Sequence, residues 1–181
     1  IREQEGRKAY NLIERVRPAS AAASNLWARL KLVPRTMWGM WLAHLGVAAF
    51  AFGVSMVNTY GIERDVKMEM NDTVELAGYV FTYRGVRDYQ GPNYQAVQGL
   101  VEVTRNGKPV ATMRPEKRIY RVQQNPMTEA AINTGFTRDL YVSLGEPVGG
   151  NNAWVVRVYF KPFIDWIWGG CVLMALGGVL A

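Results

Sequence analysis

The run of residues 37–57 (MWGMWLAHLGVAAFAFGVSMV) contains no Asp, Glu, Lys or Arg in 21 residues. As a helix rising about 1.5 Å per residue it would reach roughly 30 Å, enough to cross the hydrocarbon core of a bilayer. Its one ionisable group is His44, near the middle, and His44 is also the only histidine in the chain. An imidazole at that depth must be paired, ligated or turned to a water-filled cavity, because bare burial of a polar group costs kilocalories.

A second apolar run, residues 163–181 (FIDWIWGGCVLMALGGVLA), carries one charge, Asp165, close to its start. The layout reads as a basic cytoplasmic or interfacial segment at 1–36, a transmembrane helix at 37–58, an extramembrane domain at 59–161 and a second transmembrane helix at 162–181. The formal charge of +6 is unevenly spread. Residues 1–36 hold eight Lys/Arg against three acids, residues 58–161 hold thirteen against eleven, and Asp165 supplies the last negative charge. A basic flank before a first span favours the cytoplasmic side, which places the central domain outside the cytoplasm. The basic excess is therefore a signal for membrane lipid and not a nucleic-acid footprint. The chain starts at Ile1 and stops at Ala181 within an apolar run, so it is read as the C-terminal part of a longer membrane protein.

Within the first run Gly39, Gly46 and Gly53 are seven apart. Two turns separate each pair, so they share a face and form a seam that lets another helix approach closely. Gly170 and Gly177 repeat the spacing in the second run. His44 lies on a different stripe, with Trp41, Ala48, Ala51 and Ser55, whose small members leave space beside the imidazole for something flat and bulky. Two readings stay open on these residues: a ligand to such a group, or a packing residue bonded to a neighbouring carbonyl. Thr36 is the expected N-cap of this helix, and Trp38, Trp41, Trp166 and Trp168 suit aromatic belts at membrane interfaces. In the lead-in, residues 1–17 could be helical, and Ser24 could cap a short helix at 25–33 with Trp27 as an interfacial anchor.

The central segment reads as β. Strands are expected at 65–70, 73–76, 79–86, 95–105, 110–113, 116–123, 136–144 and 154–160, with Asn106-Gly107 marking a hairpin. A single helical turn is expected at 128–133, capped by Thr128. The fold class is thus two transmembrane helices flanking a small β-barrel or sandwich of about six to eight strands.

This domain has no His and no Cys, which excludes His-based general base work and thiolate chemistry there. Ser143 and Thr128 have no His partner, and Glu129, Asp139 and Glu146 are scattered without metal-ligand spacing. The run Glu116-Lys117-Arg118 reads as a solvated strand face. The lone Cys171 lies in the second apolar run, so no disulfide braces the domain. With no CxxC and no CxxCH, the chain is neither a thiol oxidoreductase nor a cytochrome with covalent haem. Gly91-Pro92-Asn93-Tyr94 and Pro126-Met127-Thr128-Glu129 are rigid turns that could form a partner-binding rim or simply be turns.

The motifs TYGIERDVKM, GYVFTYRGVRD, GPNYQA, VTRNGKP, PEKRIYRVQQNPMTEAAI, TRDLYVSLGE, AWVVRVYFKPFIDWIWGG and LMALGG occur in one order. Together they resemble the C-terminal end of the CcmF-type cytochrome c biogenesis family, the haem lyase subunit of bacterial System I maturation. The resemblance covers residues from about Pro34 to Ala181. It implies a multi-pass protein of the bacterial inner membrane whose central domain is periplasmic. Such proteins receive haem from a periplasmic haem chaperone and attach it to the CxxCH thiols of apocytochrome c, alongside other cytochrome c maturation subunits. The family also holds an intramembrane haem b between two histidines on different helices. GMWLAHLGVA matches the later of these helices, which makes His44 one axial ligand to the haem iron. The second ligand, a tryptophan-rich periplasmic segment and a periplasmic histidine pair would belong to upstream sequence. By this resemblance no catalytic residue lies in the chain itself. The alternative is a membrane-anchored scaffold of a cytochrome assembly complex, in which His44 only packs.

Overall fold

The computed structural model describes residues 33–122, 124–149 and 153–181. The helices expected at 1–17 and from Asn25 onward, with Ser24 and Trp27, lie outside these residues. Helix α1 spans Arg35–Tyr60 and helix α2 Ile164–Leu180. Between them run ten strands: β1 (Ile62–Met68), β2 (Thr73–Leu76), β3 (Tyr79–Gln90), β4 (Tyr94–Arg105), β5 (Lys108–Met113), β6 (Glu116–Tyr120), β7 (Pro126–Glu129), β8 (Ala131–Asn133), β9 (Arg138–Pro147) and β10 (Trp154–Pro162).

The described residues form two compact units. One comprises residues 33–48 with Gly170–Ala181, and the other is Ala49–Gly169. In the first, the small-residue seam is realised. A Cβ on Gly39 would stand 2.6 Å from the Gly177 carbonyl oxygen, and one on Gly46 would stand 2.7 Å from that of Gly170. Only hydrogen fits between backbones this close. Helix α1 begins one residue before Thr36, which sits inside the first turn, and the Pro34 carbonyl accepts from the Met37 and Trp38 N–H groups. With 26 residues α1 is long and apolar enough to cross a membrane, whereas α2 is apolar but has 17.

The second unit holds a β-sandwich. One sheet has four strands in the order β1-β10-β9-β8, and the other has six, in the order β2-β3-β4-β6-β7 with β5 also paired to β4. All the pairings are antiparallel. Alternation places every second side chain between the sheets. Tyr79, Phe81 and Tyr83 of β3 and Val101 and Val103 of β4 meet Leu140, Val142 and Leu144 of β9 and Trp154, Val156 and Val158 of β10. The Asn106-Gly107 hairpin is present, with φ +51° and +73°, the left-handed pair that a two-residue turn requires. At the foot of the unit, Trp166 Nε1 donates to the Phe136 carbonyl at 3.0 Å, and the ring packs on Phe52, Phe163 and Phe136.

Two expectations are corrected. Residues 128–133 form no helical turn. They belong to β7 and β8, paired with β6 through Thr128↔Lys117 and with β9 through Ile132↔Tyr141. These two strands are why the count is ten and not six to eight. The second correction concerns the run 116–118, whose face is not solvated, because Glu116 is only 8% exposed.

Candidate functional site

His44 is carried by α1 in the smaller unit. At 100° per residue it lies about 140–160° around the helix from Gly39 and Gly46, and so points away from the seam. Trp41, His44, Ala48, Ala51 and Ser55 are all exposed among the described residues, so the whole stripe is an open face of α1. The imidazole is not free to spin. Its Nδ1 lies 2.8 Å from the Met40 carbonyl oxygen, one turn earlier. A carbonyl can only accept, so Nδ1 carries the proton in this bond, and the neutral ring keeps its lone pair on Nε2. Metal-binding histidines are commonly oriented in this way, with the far nitrogen donating to a carbonyl and the near one directed at the metal. Further along the stripe, Ser55 turns its hydroxyl back onto the Ala51 carbonyl at 2.8 Å. The face beyond the imidazole is therefore flat, with the two alanines supplying only methyl groups. An exposed imidazole nitrogen of this kind is chemically a donor that haem iron would accept. It does not provide a second ligand.

The β-sandwich offers no comparable centre. Among the described residues no three His, Cys, Asp or Glu side chains come together to hold a metal. Ser143 is buried at 8% exposure and has no histidine beside it. Asp139 is 2% exposed, with one carboxyl oxygen accepting from the Gly135 N–H at 3.1 Å. Burial pushes its pKa up, an effect moderated by that hydrogen bond and reinforced by the charge of Asp165.

The outer face of the six-stranded sheet carries a polar chain that periodicity did not reveal. Gln98 Nε2 donates to Glu116 Oε1 at 2.6 Å, and Arg118 Nε donates to Glu116 Oε2 at 2.7 Å. Burial would raise the Glu116 pKa, but the bonds from Arg118 and Gln98 outweigh it and hold the carboxyl below its usual range. The Arg118 guanidinium also lies 4.6 Å from the centre of the Tyr94 ring, and Tyr94 packs on Tyr120. Of the two segments read as rigid turns, 91–94 is one, closed by the Gly91 N–H donating to the Tyr94 carbonyl, whereas Pro126–Glu129 is strand β7; both flank β6. Tyr94 pairs with Tyr120 on one side of β6, and Met127 pairs with Arg118 on the other. Lys117 points to the opposite face, where it binds the Gly145 carbonyl and the Glu146 carboxylate.

A family profile described as the CcmF C-terminal beta-sandwich matches residues 59–162. The chain is 53% identical over 154 residues to a cytochrome c-type biogenesis protein CcmF of Pseudomonas aeruginosa, covering 85% of this chain and 23% of that protein. It is 48% identical over 143 residues to the CcmF of Escherichia coli, covering 79% of this chain and 22% of that protein. A cytochrome c-type biogenesis protein CycK of Rhizobium meliloti is 36% identical over 171 residues, covering 94% of this chain and 25% of that protein. The chain thus spans about a quarter of the length of the curated relatives it matches. A solved structure titled cytochrome c heme lyase CcmF shares the fold, with TM-score 0.69 and 21% identity over 81% of this chain and 24% of that one. The profile covers more than half of the sequence, these relatives are all named cytochrome c-type biogenesis proteins, and this chain belongs to the CcmF family of cytochrome c biogenesis proteins, whose C-terminal beta-sandwich it carries.

Proposed function

We propose that this chain is the C-terminal part of a haem lyase that attaches haem to the CxxCH thiols of apocytochrome c. Its contributions are one axial ligand of an intramembrane haem b and a docking domain on the periplasmic side. The observation that carries the reading is the locked ring of His44. Its Nδ1–H is tied to Met40, and its Nε2 is left on an open, alanine-lined face of an apolar helix. The second axial histidine would come from a helix outside this chain. Bound there, a haem with two imidazole ligands supplies one-electron transfer. The chain's own part is to fix the tautomer and azimuth of one ligand and to leave a flat clearance next to it.

In this reading α1 and α2 both cross the inner membrane, and the basic lead-in stays in the cytoplasm. The sandwich then projects into the periplasm to receive a haem chaperone or apocytochrome-handling partners. The absence of His and Cys from the domain supports a docking role over a chemical one. The names of the relatives support cytochrome c maturation as the setting.

The test uses the purified full-length protein with His44→Ala. The b-type Soret band should be lost while the thermal unfolding midpoint is retained. An unchanged spectrum would overturn the ligand assignment and favour the scaffold reading, in which His44 only packs.

A further inference from the structure

Strand β3 holds one extra residue. Its pairing with β4 runs Tyr83↔Val101 and resumes at Val86↔Gly99, so Arg84 and Gly85 together oppose Leu100. Gly85 adopts φ +99°, a conformation that strains any residue with a Cβ. An inserted residue reverses side-chain parity beyond it. In an unbroken strand Arg84 and Arg87, three apart, would point to opposite faces. Here both lie on the outer face. Arg84 Nε donates to Glu102 Oε2 at 2.9 Å, while Arg87 donates to Gln98 Oε1 from Nε at 2.9 Å and from Nη2 at 2.6 Å. A third guanidinium, Arg114, comes from the link between β5 and β6. There β4 changes partner, and the Gly99 N–H donates to the Pro115 carbonyl at 2.8 Å. The three arginines, with Gln98 and Leu100, line a hollow of about 240 Å³.

The charges in this hollow do not cancel. Glu102 neutralises Arg84. The partner of Arg87 is a neutral amide. Arg114 is exposed and makes no ion pair or hydrogen bond among the described residues. The carboxylate bonded to Gln98, Glu116, is already committed to Gln98 and Arg118. Arg87 is moreover held in place before any ligand arrives, because Gln98 is itself 7% exposed and anchored on Glu116. Fixed guanidinium forks bind carboxylates or phosphates in two-point contacts. No helix N-terminus lines this hollow to add the backbone N–H donors that phosphate sites employ. The same outer face continues into Tyr94, Tyr120 and Tyr89, with Tyr89 39% exposed. Tyrosine and arginine are the residue types that anchor polypeptide partners.

We propose that the Arg84–Arg87–Arg114 hollow is a binding site for carboxylate side chains of an acidic segment of a partner polypeptide, with the tyrosine cluster as its apolar shoulder. The proposal rests on the docking role given above and assigns it a surface.

The test measures binding of a fluorescein-labelled peptide of alternating Glu and Ala to the full-length protein in detergent at low salt. Arg87→Gln with Arg114→Gln should weaken binding about tenfold or more, and Lys at both positions should weaken it less. Arg157→Gln, on the other sheet, should leave binding unchanged. If the double Gln variant fails to fold, Arg114→Gln alone carries the test with about a threefold loss, since that side chain holds nothing else. Equal binding of a peptide with Gln in place of Glu, or unaltered affinity in the Arg→Gln variants, overturns the site. Holocytochrome c yield in cells separates this from the docking role. Lost peptide binding with full cytochrome c maturation counts against that role while the site stands, whereas intact peptide binding sinks the site whatever the yield.

Discussion

The glycine seam between α1 and α2 makes a quantitative prediction, because the glycines of these helices divide into two kinds. A Cβ at Gly46 would lie 2.7 Å from both the Gly170 carbonyl oxygen and the Met174 nitrogen, and one at Gly177 would lie 2.5 Å from the Ala43 nitrogen. Ordinary contact begins at 3.4 Å, so the shortfall is 3.4 − 2.7 = 0.7 Å at Gly46 and 3.4 − 2.5 = 0.9 Å at Gly177. The obstructing atoms are backbone, so no rotamer change relieves them and the helices must separate. Overpacking of this kind costs about 1–3 kcal/mol. Gly178 and Gly169 lie in the same helix with nothing within 4 Å. Alanine there meets no obstacle and recovers about 0.5–1 kcal/mol of helix propensity. We expect Gly46→Ala and Gly177→Ala to lower the thermal midpoint of the full-length protein in detergent. Gly178→Ala and Gly169→Ala should leave it unchanged or raise it. The helix gain is common to all four substitutions, so the two pairs should differ by the steric cost alone, about 1–3 kcal/mol. Tryptophan fluorescence during heating gives the readout. Equal shifts in both pairs would refute the close approach of the backbones.

Asp139→Asn should raise the thermal midpoint of the full-length protein near neutral pH. Desolvation and Asp165 make the carboxyl bind its proton more tightly folded than unfolded, so the wild type is destabilised above the raised folded pKa and regains stability as pH falls through it. Asn keeps an acceptor for the Gly135 N–H, and the gap between the two proteins should close on acidification; a destabilised Asn variant near pH 7 would contradict this sign. The orientation of the sandwich is checked by fusing alkaline phosphatase, which needs disulfides to be active, after Gly107 in the full-length protein. Activity is expected, and an inactive fusion alongside an active cytoplasmic-type reporter at the same position would reverse the topology.

Much of the architecture is written in short-range patterns. The uncharged run containing His44 gives α1, the seven-residue glycine spacing gives the seam, and Asn106-Gly107 gives its hairpin. The alternation in 138–144 and 154–160 gives the two strands that carry the buried leucines and valines. The failures have a common cause. Residues 128–133 carry a Thr cap and two alanines, but six residues are too few to nucleate a lone helix, and strands on either side offered partners. Burial of Glu116 depended on Gln98 eighteen residues earlier and on Arg118 folding back over it. The extra residue at Arg84-Gly85 became visible only through pairing with β4, because a glycine within a strand pattern does not by itself reveal which side chains change face. His44 was conspicuous from the outset and a bond to a neighbouring carbonyl was among its expected roles; that the acceptor is Met40 and that the ring lies on an exposed face came from the structure.

The sandwich begins and ends on adjacent strands. Ile62, two residues after α1, lies opposite Phe160, four residues before α2, so the entry and exit strands of the sandwich are neighbours about one strand spacing apart, near 4.8 Å. Such a module is a cassette threaded between two neighbouring helices. Its rim can lengthen, shorten or change partner over evolutionary time while the two ends of the module stay side by side.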